Sequence, residues 1–378
     1  MSALRRFMTE IIGVLRNLFA DSSARMTMIA GILVYSALYP QPFVGEVLRD
    51  VPIAVIDQDN STESRKLLRL IDANDHVAIM AAVPNMEAAR DAFFKRDVYG
   101  IVIIPAGFER NLLTGAPAPI AAFGDGSYLL VYSNIMGAVT SVARAMGVEV
   151  NLARLTDTGM DEDQARTALA PVTVTNIAVF NPQGGYASYV VPASFVLILQ
   201  QTLLMGIGLL HAGRRFPTGL GMWAAPVAYI GLYLGWIAFT QLLLPAFYGI
   251  PRVGNIGTLM LIGLPFLSAC TALGFALALL IPRREGVVFF LVVMGLPLFF
   301  LSGIAWPIES IPEYLHMLSL LVPSSSAISA FVAVNQMGAT PKDIADAVQI
   351  QIILAFGYTL LAILIYRIKG AQHQVTGS

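Results

Sequence analysis

Charge is what this sequence lacks. Only 12% of its 378 residues are Asp, Glu, Lys or Arg, against 56% hydrophobic, and the formal net charge is -1. That balance offers neither the basic footprint of a nucleic-acid binder nor a polybasic membrane patch. Its single cysteine, Cys270, lies within an apolar run, which excludes an internal disulfide and a thiolate metal centre. Catalytic signatures are missing too. There is no Gly-x-x-x-x-Gly-Lys-Ser/Thr, no Gly-x-Ser-x-Gly and no His-Glu-x-x-His. His76, His211, His316 and His373 are scattered, and no spacing supports a triad of Ser188 or Ser302 with His316 and Glu313. The sequence predicts no catalytic residue, no cofactor-binding residue and no metal ligand.

What it has instead is length without charge. Residues 26–45, 167–213, 216–251, 253–282, 286–308 and 347–366 contain no Asp, Glu, Lys or Arg. About 20 apolar residues carry a helix across roughly 30 Å of hydrocarbon. In lipid a segment must satisfy its own backbone, so these runs read as spanning helices. The sequence therefore predicts an α-helical integral membrane protein with six transmembrane helices, at 26–44, 189–211, 226–248, 256–281, 287–304 and 346–366. The run at 26–44 is long and has no small-x-small cleavage site, so it reads as a retained first span.

Basic residues set the orientation. Arg5, Arg6, Arg16 and Arg25 precede the first span. Arg214 and Arg215 follow the second, Arg283 and Arg284 the fourth, and Arg367 and Lys369 the sixth, whereas the remaining short loops carry only Arg252 and Lys342. Both termini are thereby expected in the cytoplasm and residues 45–188 outside it. Within residues 1–25, Leu4, Phe7, Met8, Ile11, Leu15 and Leu18 recur at helical spacing opposite Arg5, Arg6, Glu10 and Arg16. That is the pattern of an amphipathic helix, lying in the membrane interface or packed on the protein's own cytoplasmic face.

Residues 45–188 are richer in charge and large enough for their own core. Strands are expected at 51–56, 77–83, 98–104 and 172–179, and helices at 62–73, 86–95 and 128–157, which together predict an inserted extracytoplasmic α/β domain. Asn60 with Glu63 is the expected capping box of the first of these helices. The acidic turn Asp57-Gln58-Asp59-Asn60-Ser61 lacks calcium-loop spacing and reads as a turn and helix cap.

The spans are sparing in polar groups. Gln200, Gln201 and Gln241 are the candidates to line a path for an amphipathic substrate, although helix-to-helix hydrogen bonding is the commoner use of such residues. Ion-coupled carriers place titratable groups inside the bundle. Here the spans hold no acidic or basic residue beyond Asp346 at the very start of the sixth, so the energy source is expected to lie outside the chain.

The most distinctive segment follows the fifth span: Phe300-Leu301-Ser302-Gly303-Ile304-Ala305-Trp306-Pro307-Ile308-Glu309-Ser310-Ile311-Pro312, continuing through Leu315 and Leu318 to Pro323 and Gly338. Pro307 and Pro312 break the helix, and 315–321 is too short to cross, so residues 305–340 are expected to re-enter the membrane partway. A second segment, Phe180-Asn181-Pro182 followed by Tyr189-Val190-Val191-Pro192, leads into span two. Together these resemble the ABC-2 type transporter permeases. The large insert, beginning Val55-Ile56-Asp57-Gln58-Asp59-Asn60-Ser61, is similar to the YhhJ-like subgroup of Gram-negative bacteria.

The resemblance implies an exporter subunit in the cell inner membrane, with 45–188 periplasmic. It would form the translocation path with a second permease, identical or a sister chain. ATP would be consumed by a separate cytoplasmic ABC ATPase, and a periplasmic membrane-fusion adaptor is a further implied partner. The cargo class would be drugs or other amphipathic compounds. Members often carry a Glu-Arg-Gly-Thr-like coupling segment after span two. Residues 211–219 here have no acidic residue, which leaves Arg214, Arg215, Arg283, Arg284 and Glu285, together with the N-terminal helix, as coupling candidates. A secondary carrier or channel, and a membrane receptor or assembly factor, are the competing readings.

Overall fold

The computed structural model describes residues 3–43, 48–172, 185–214, 219–304 and 310–375. Two compact units divide the chain: Val47–Ile177 forms one, and Met1–Glu46 with Ala178–Ser378 forms the other.

The chain opens with α1 (Ala3–Ala20). Its Leu18 is buried and Val14 packs on the core of the helical unit, while Leu4, Met8 and Ile12 stay exposed. One end of the apolar stripe is thus covered by protein. Asp21 then accepts from Ala24 N at 3.0 Å and starts a second helix. This runs through α2 (Ser22–Arg25), a π-helical turn at Met26–Ala30 and α3 (Gly31–Leu38). The first apolar helix therefore begins at the Asp21 cap, ahead of residue 26, and its α-helical part ends at Leu38.

The second unit centres on a four-stranded sheet in the order β2-β1-β3-β4, formed by β1 (Val51–Asp57), β2 (Val77–Ala82), β3 (Gly100–Ile104) and β4 (Ala121–Gly124). β1 runs parallel to β2 and β3, and β4 runs antiparallel to β3. β1 is buried on both sides, as parallel strands are when helices cover both faces. Val51, Ile53 and Val55 meet α4 (Thr62–Asp72), α6 (Phe108–Thr114) and α7 (Leu129–Asp157). Ala54 and Ile56 point the other way, onto α5 (Met86–Phe94). α8 (Glu162–Leu169) completes the unit.

Here the structure adds a strand and moves a helix cap. The fourth strand of the sheet is β4, which the sequence pattern does not mark, and the expected strand at 172–179 falls almost wholly outside the described residues. The capping box is made by Ser61 and Ser64 instead of Asn60 and Glu63, because Asn60 takes a left-handed conformation (φ 50°) that closes the preceding turn. α7 is long and apolar enough to cross a membrane. It nevertheless lays Ile135, Ala138, Val139 and Met146 on the sheet core, and its Glu149 pairs with Lys66 at 2.7 Å.

The helical unit resumes with α9 (Tyr186–His211), α10 (Ala224–Ala238), a π turn at Phe239–Leu243, α11 (Leu244–Phe247), α12 (Ile256–Leu280) and α13 (Arg284–Leu301). α14 (Glu313–Ser319) and α15 (Pro323–Met337) follow, then α16 (Ala345–Val375). Setting α7 aside, five helices among the described residues are long and apolar enough to cross: α9, Gly221–Phe247, α12, α13 and Ala345–Lys369. The shorter helix at 22–38 lies where the first span is expected. Glycines let them approach closely. A Cβ on Gly206 would lie 2.1 Å from Met28 Sδ, and one on Gly208 would lie 2.4 Å from Val287 Cγ1.

Candidate functional site

α14 and α15 meet at 89°, a bend sharp enough to make them a re-entrant hairpin or a broken span. Pro323 sits at the first turn of α15, where its missing N–H costs nothing. The next N–H groups lack helical partners, and in an apolar bundle each must find one. Gln200 on α9 supplies it: its Oε1 accepts from Ser324 N at 2.8 Å and from Cys270 Sγ at 3.7 Å. From the opposite side Gln351 on α16 donates its Nε2 to Pro323 O at 2.6 Å and to Ser326 Oγ at 2.8 Å. Both amides are fully buried.

The far end of α15 is held in the same manner. Asn335 Nδ2 donates to Gln241 Oε1 at 2.8 Å, and Gln241 Nε2 donates to Pro192 O on α9 at 3.0 Å. Gln241 reaches inward from the π turn. Pro245 follows, and its ring cannot coexist with a helical carbonyl four residues back, the carbonyl of Gln241 itself. A widened turn relieves that clash. Val253 N donates to Asn335 O at 2.9 Å, and Gly338 ends α15 in the left-handed region (φ 64°).

Of the three candidate path glutamines, Gln200 and Gln241 are thus engaged in holding the hairpin. Gln201 faces elsewhere: its amide oxygen and nitrogen are buried without a hydrogen-bond partner among the described residues, and Gly295 on α13 lies beside it. Sequence reasoning missed Gln351, Asn335 and Ser324. The first two carry a signal that could have found them, an amide within an apolar helical run, Asn335 beside Gln336 and Gln351 two residues after Gln349.

The segment leading to the hairpin is anchored as well. Tyr189 OH donates to Gly303 O at 2.6 Å, and Ser302 Oγ donates to Phe299 O at 2.7 Å. Gly303 has a φ of 81°, which suits glycine. Pro312 is the residue before α14. Phe180, Asn181, Pro182 and Pro307 lie outside the described residues, as does Arg215.

The basic candidates gather at one end of the bundle. Arg283 is the N-cap position of α13. Arg284 lies 3.8 Å from Asp21 and 3.3 Å from Glu285. A Cβ on Gly213 would sit 2.4 Å from Pro282 O, so the turn carrying Arg214 rests against the α12–α13 turn. Lys369 on α16 donates to Leu279 O nearby. The α1–α2 junction, the turn after α9 and the turn before α13 therefore form one surface. Among the described residues no group of His, Cys, Asp or Glu could hold a metal ion.

Comparison with known proteins matches residues 25–367 to the family described as ABC-2 family transporter protein. The linearmycin resistance permease protein LnrN of Bacillus subtilis (strain 168) is 22% identical over 318 residues, covering 78% of this chain and 82% of that protein. Among solved structures, a domain of a putative ABC type-2 transporter from Thermotoga maritima MSB8 is 21% identical, with a TM-score of 0.23. It covers 32% of this chain and 81% of that one.

Proposed function

Because the chain belongs to the ABC-2 family of transporter proteins, we propose that it is the membrane half of an ATP-driven exporter for drugs or other amphipathic compounds. Members of that family are multi-pass membrane subunits that work with an ATP-binding partner. The observation that carries the reading is a bundle whose long apolar runs hold no Asp, Glu, Lys or Arg, yet whose helices grip the bent α14–α15 pair through neutral amides. Its apolar runs offer no carboxylate or ammonium group with which to couple motion to a proton gradient, and His211 lies only at the last position of α9.

In this reading two copies, or one copy and a sister permease, enclose the path in the inner membrane. Both termini are cytoplasmic, Val47–Ile177 is periplasmic as in the YhhJ-like subgroup, and a membrane-fusion adaptor is a further partner. The surface joining Asp21, Arg214, Arg283, Arg284 and Glu285 receives the ATPase in place of the acidic coupling segment. The relative's name, a resistance permease, supports export as the direction of transport.

Proteoliposomes provide the test. The purified chain alone should neither hydrolyse ATP nor move a fluorescent amphiphile, with or without a proton gradient. Adding a partner ABC ATPase should give ATP-dependent movement. Reversing Arg283 and Arg284 together to Glu should reduce that stimulation. Transport driven by a proton gradient through the chain alone would contradict the proposal.

A further inference from the structure

A cavity of about 560 Å³ lies between α10, α12 and α16, within the roughly 300–1,000 Å³ usual for small-ligand sites. Trp223 at the start of α10 and Arg367 near the end of α16 mark one end of it, and Phe275 forms part of the wall between. The end is set by topology: α10 begins there, while α12 and α16 run towards it and are tied by the Lys369–Leu279 hydrogen bond. No acidic side chain lines the cavity, and Arg367 makes no ion pair among the described residues.

Three hydroxyls sit deeper. Ser268 and Thr359 donate to Leu264 O and Ala355 O at 2.8 and 2.7 Å, one turn back in their own helices, which leaves their lone pairs free to accept. Thr271 is different. It is 2% exposed, and its Oγ1 has no hydrogen-bond partner among the described residues. An unpaired buried hydroxyl is unfavourable, and more so in an apolar bundle. Thr271 lies about two helical turns, or ~12 Å, from the Leu279 level at which the cationic end begins.

We propose that this cavity binds a long-chain amphiphile with an anionic head group and a hydrogen-bonding group partway along the chain, taken from the adjoining membrane leaflet. The Arg367 guanidinium receives the head group, the apolar walls receive the chain, and the Thr271 hydroxyl, covered in this structure, rotates into the cavity to pair with the internal polar group. A plain saturated chain would leave Thr271 unpaired, and a cationic head group would be repelled by Arg367. That the amphiphile is cargo rests on the exporter reading; that it binds does not.

The test uses the full chain in phosphatidylcholine nanodiscs, with Trp236→Phe and Trp306→Phe so that Trp223 is the sole reporter. 5-Doxylstearate quenches it and is competed by 12-hydroxystearate or by stearate. The hydroxy acid should displace the quencher at about five- to ten-fold lower concentration, the effect of one neutral hydrogen bond. Thr271→Val should abolish that preference and leave stearate unchanged, Thr271→Ser should restore it, and Arg367→Gln should weaken both acids. Equal displacement by the two acids, a preference that survives in Thr271→Val, or no quenching above that of unrelated bilayer sites would overturn the proposal. Because no nucleotide or ATPase is present, selective binding without ATP-driven transport would count against the exporter reading alone. ATP-driven transport without the preference would count against the site alone.

Discussion

The two units of this chain must both satisfy polar groups as they bury apolar surface, and they do it with different chemistry. In Val47–Ile177 the work is done by charge and by caps. Asp57 Oδ1 accepts from Asp59 N and Asn60 N at 3.0 and 2.9 Å. Asp59 gathers Gly107 N, Phe108 N and Glu109 N at 2.7–3.1 Å and so starts α6. Arg96 pairs with the buried Asp125 and lies 5.6 Å above the Tyr128 ring. The helical unit uses neutral amides, and they join residues far apart in sequence: Gln200 to Ser324, Gln241 to Asn335, Gln351 to Pro323. A charge at a bilayer centre costs about 2.5–3.5 kcal/mol even on insertion scales. An amide hydrogen bond between helices contributes only about 0.6–1.7 kcal/mol, but it carries no such penalty. Solvent decides which device each unit can use.

The largest effect is expected at the hairpin. Gln200→Leu with Gln351→Leu removes three bonds at the start of α15, about 2–5 kcal/mol if each is worth the usual interhelical amount. Thermal unfolding in nanodiscs should show the loss, and ATP-driven transport should fall with it. Full stability with full transport would make these amides incidental.

A smaller effect, this one dependent on pH, is expected in the α/β unit. The Ser61 hydroxyl, and then the N–H groups of Glu109, Gly107 and Phe108, hold the Asp59 carboxyl below its ordinary 3.8. A folded value below the unfolded one means the cap stabilises above the unfolded value and is lost as pH falls through the folded one. Asp59→Asn should therefore lower the melting point of this unit by a few degrees at neutral pH, and should flatten its acid sensitivity below about pH 4. A variant that melts like the parent at both pH values would show that another group starts α6. The smallest change is expected for Lys66→Ala. Lys66 and Glu149 are 2.7 Å apart but partly exposed, and such pairs contribute about 0.2–1 kcal/mol. A greater loss would mean the pair is shielded from solvent.

The same contrast explains what could be read without coordinates. The apolar helices were legible because a charge-free run of twenty residues has few other uses. Their ends were less so: the first begins at the Asp21 cap and α13 begins at Arg284, both earlier than the apolar runs suggest. The break after the fifth helix was visible in its prolines. The hairpin's fastenings were not, because Gln351 meets Pro323 and Gln200 meets Ser324 only once α9, α15 and α16 pack, and no local pattern encodes that. Gln200 and Gln241 stood out as polar residues in apolar helices, which identified them but left open what they touch. In the other unit β4 escaped notice because Ala121–Gly124 is short and alternates weakly, and Ser61 displaced Asn60 as cap because the turn needs Asn60 left-handed.

If solvent is what separates the units, their positions across the membrane are the most direct test. Single cysteines would replace the exposed Gly126 in the α/β unit and the exposed Glu10 on α1, with Cys270→Ser in both, and intact cells would be treated with a membrane-impermeant maleimide after the outer barrier is opened. Gly126→Cys should label at once, whereas Glu10→Cys should label only after the inner membrane is breached. The reverse order, or equal labelling of both in intact cells, would contradict the account.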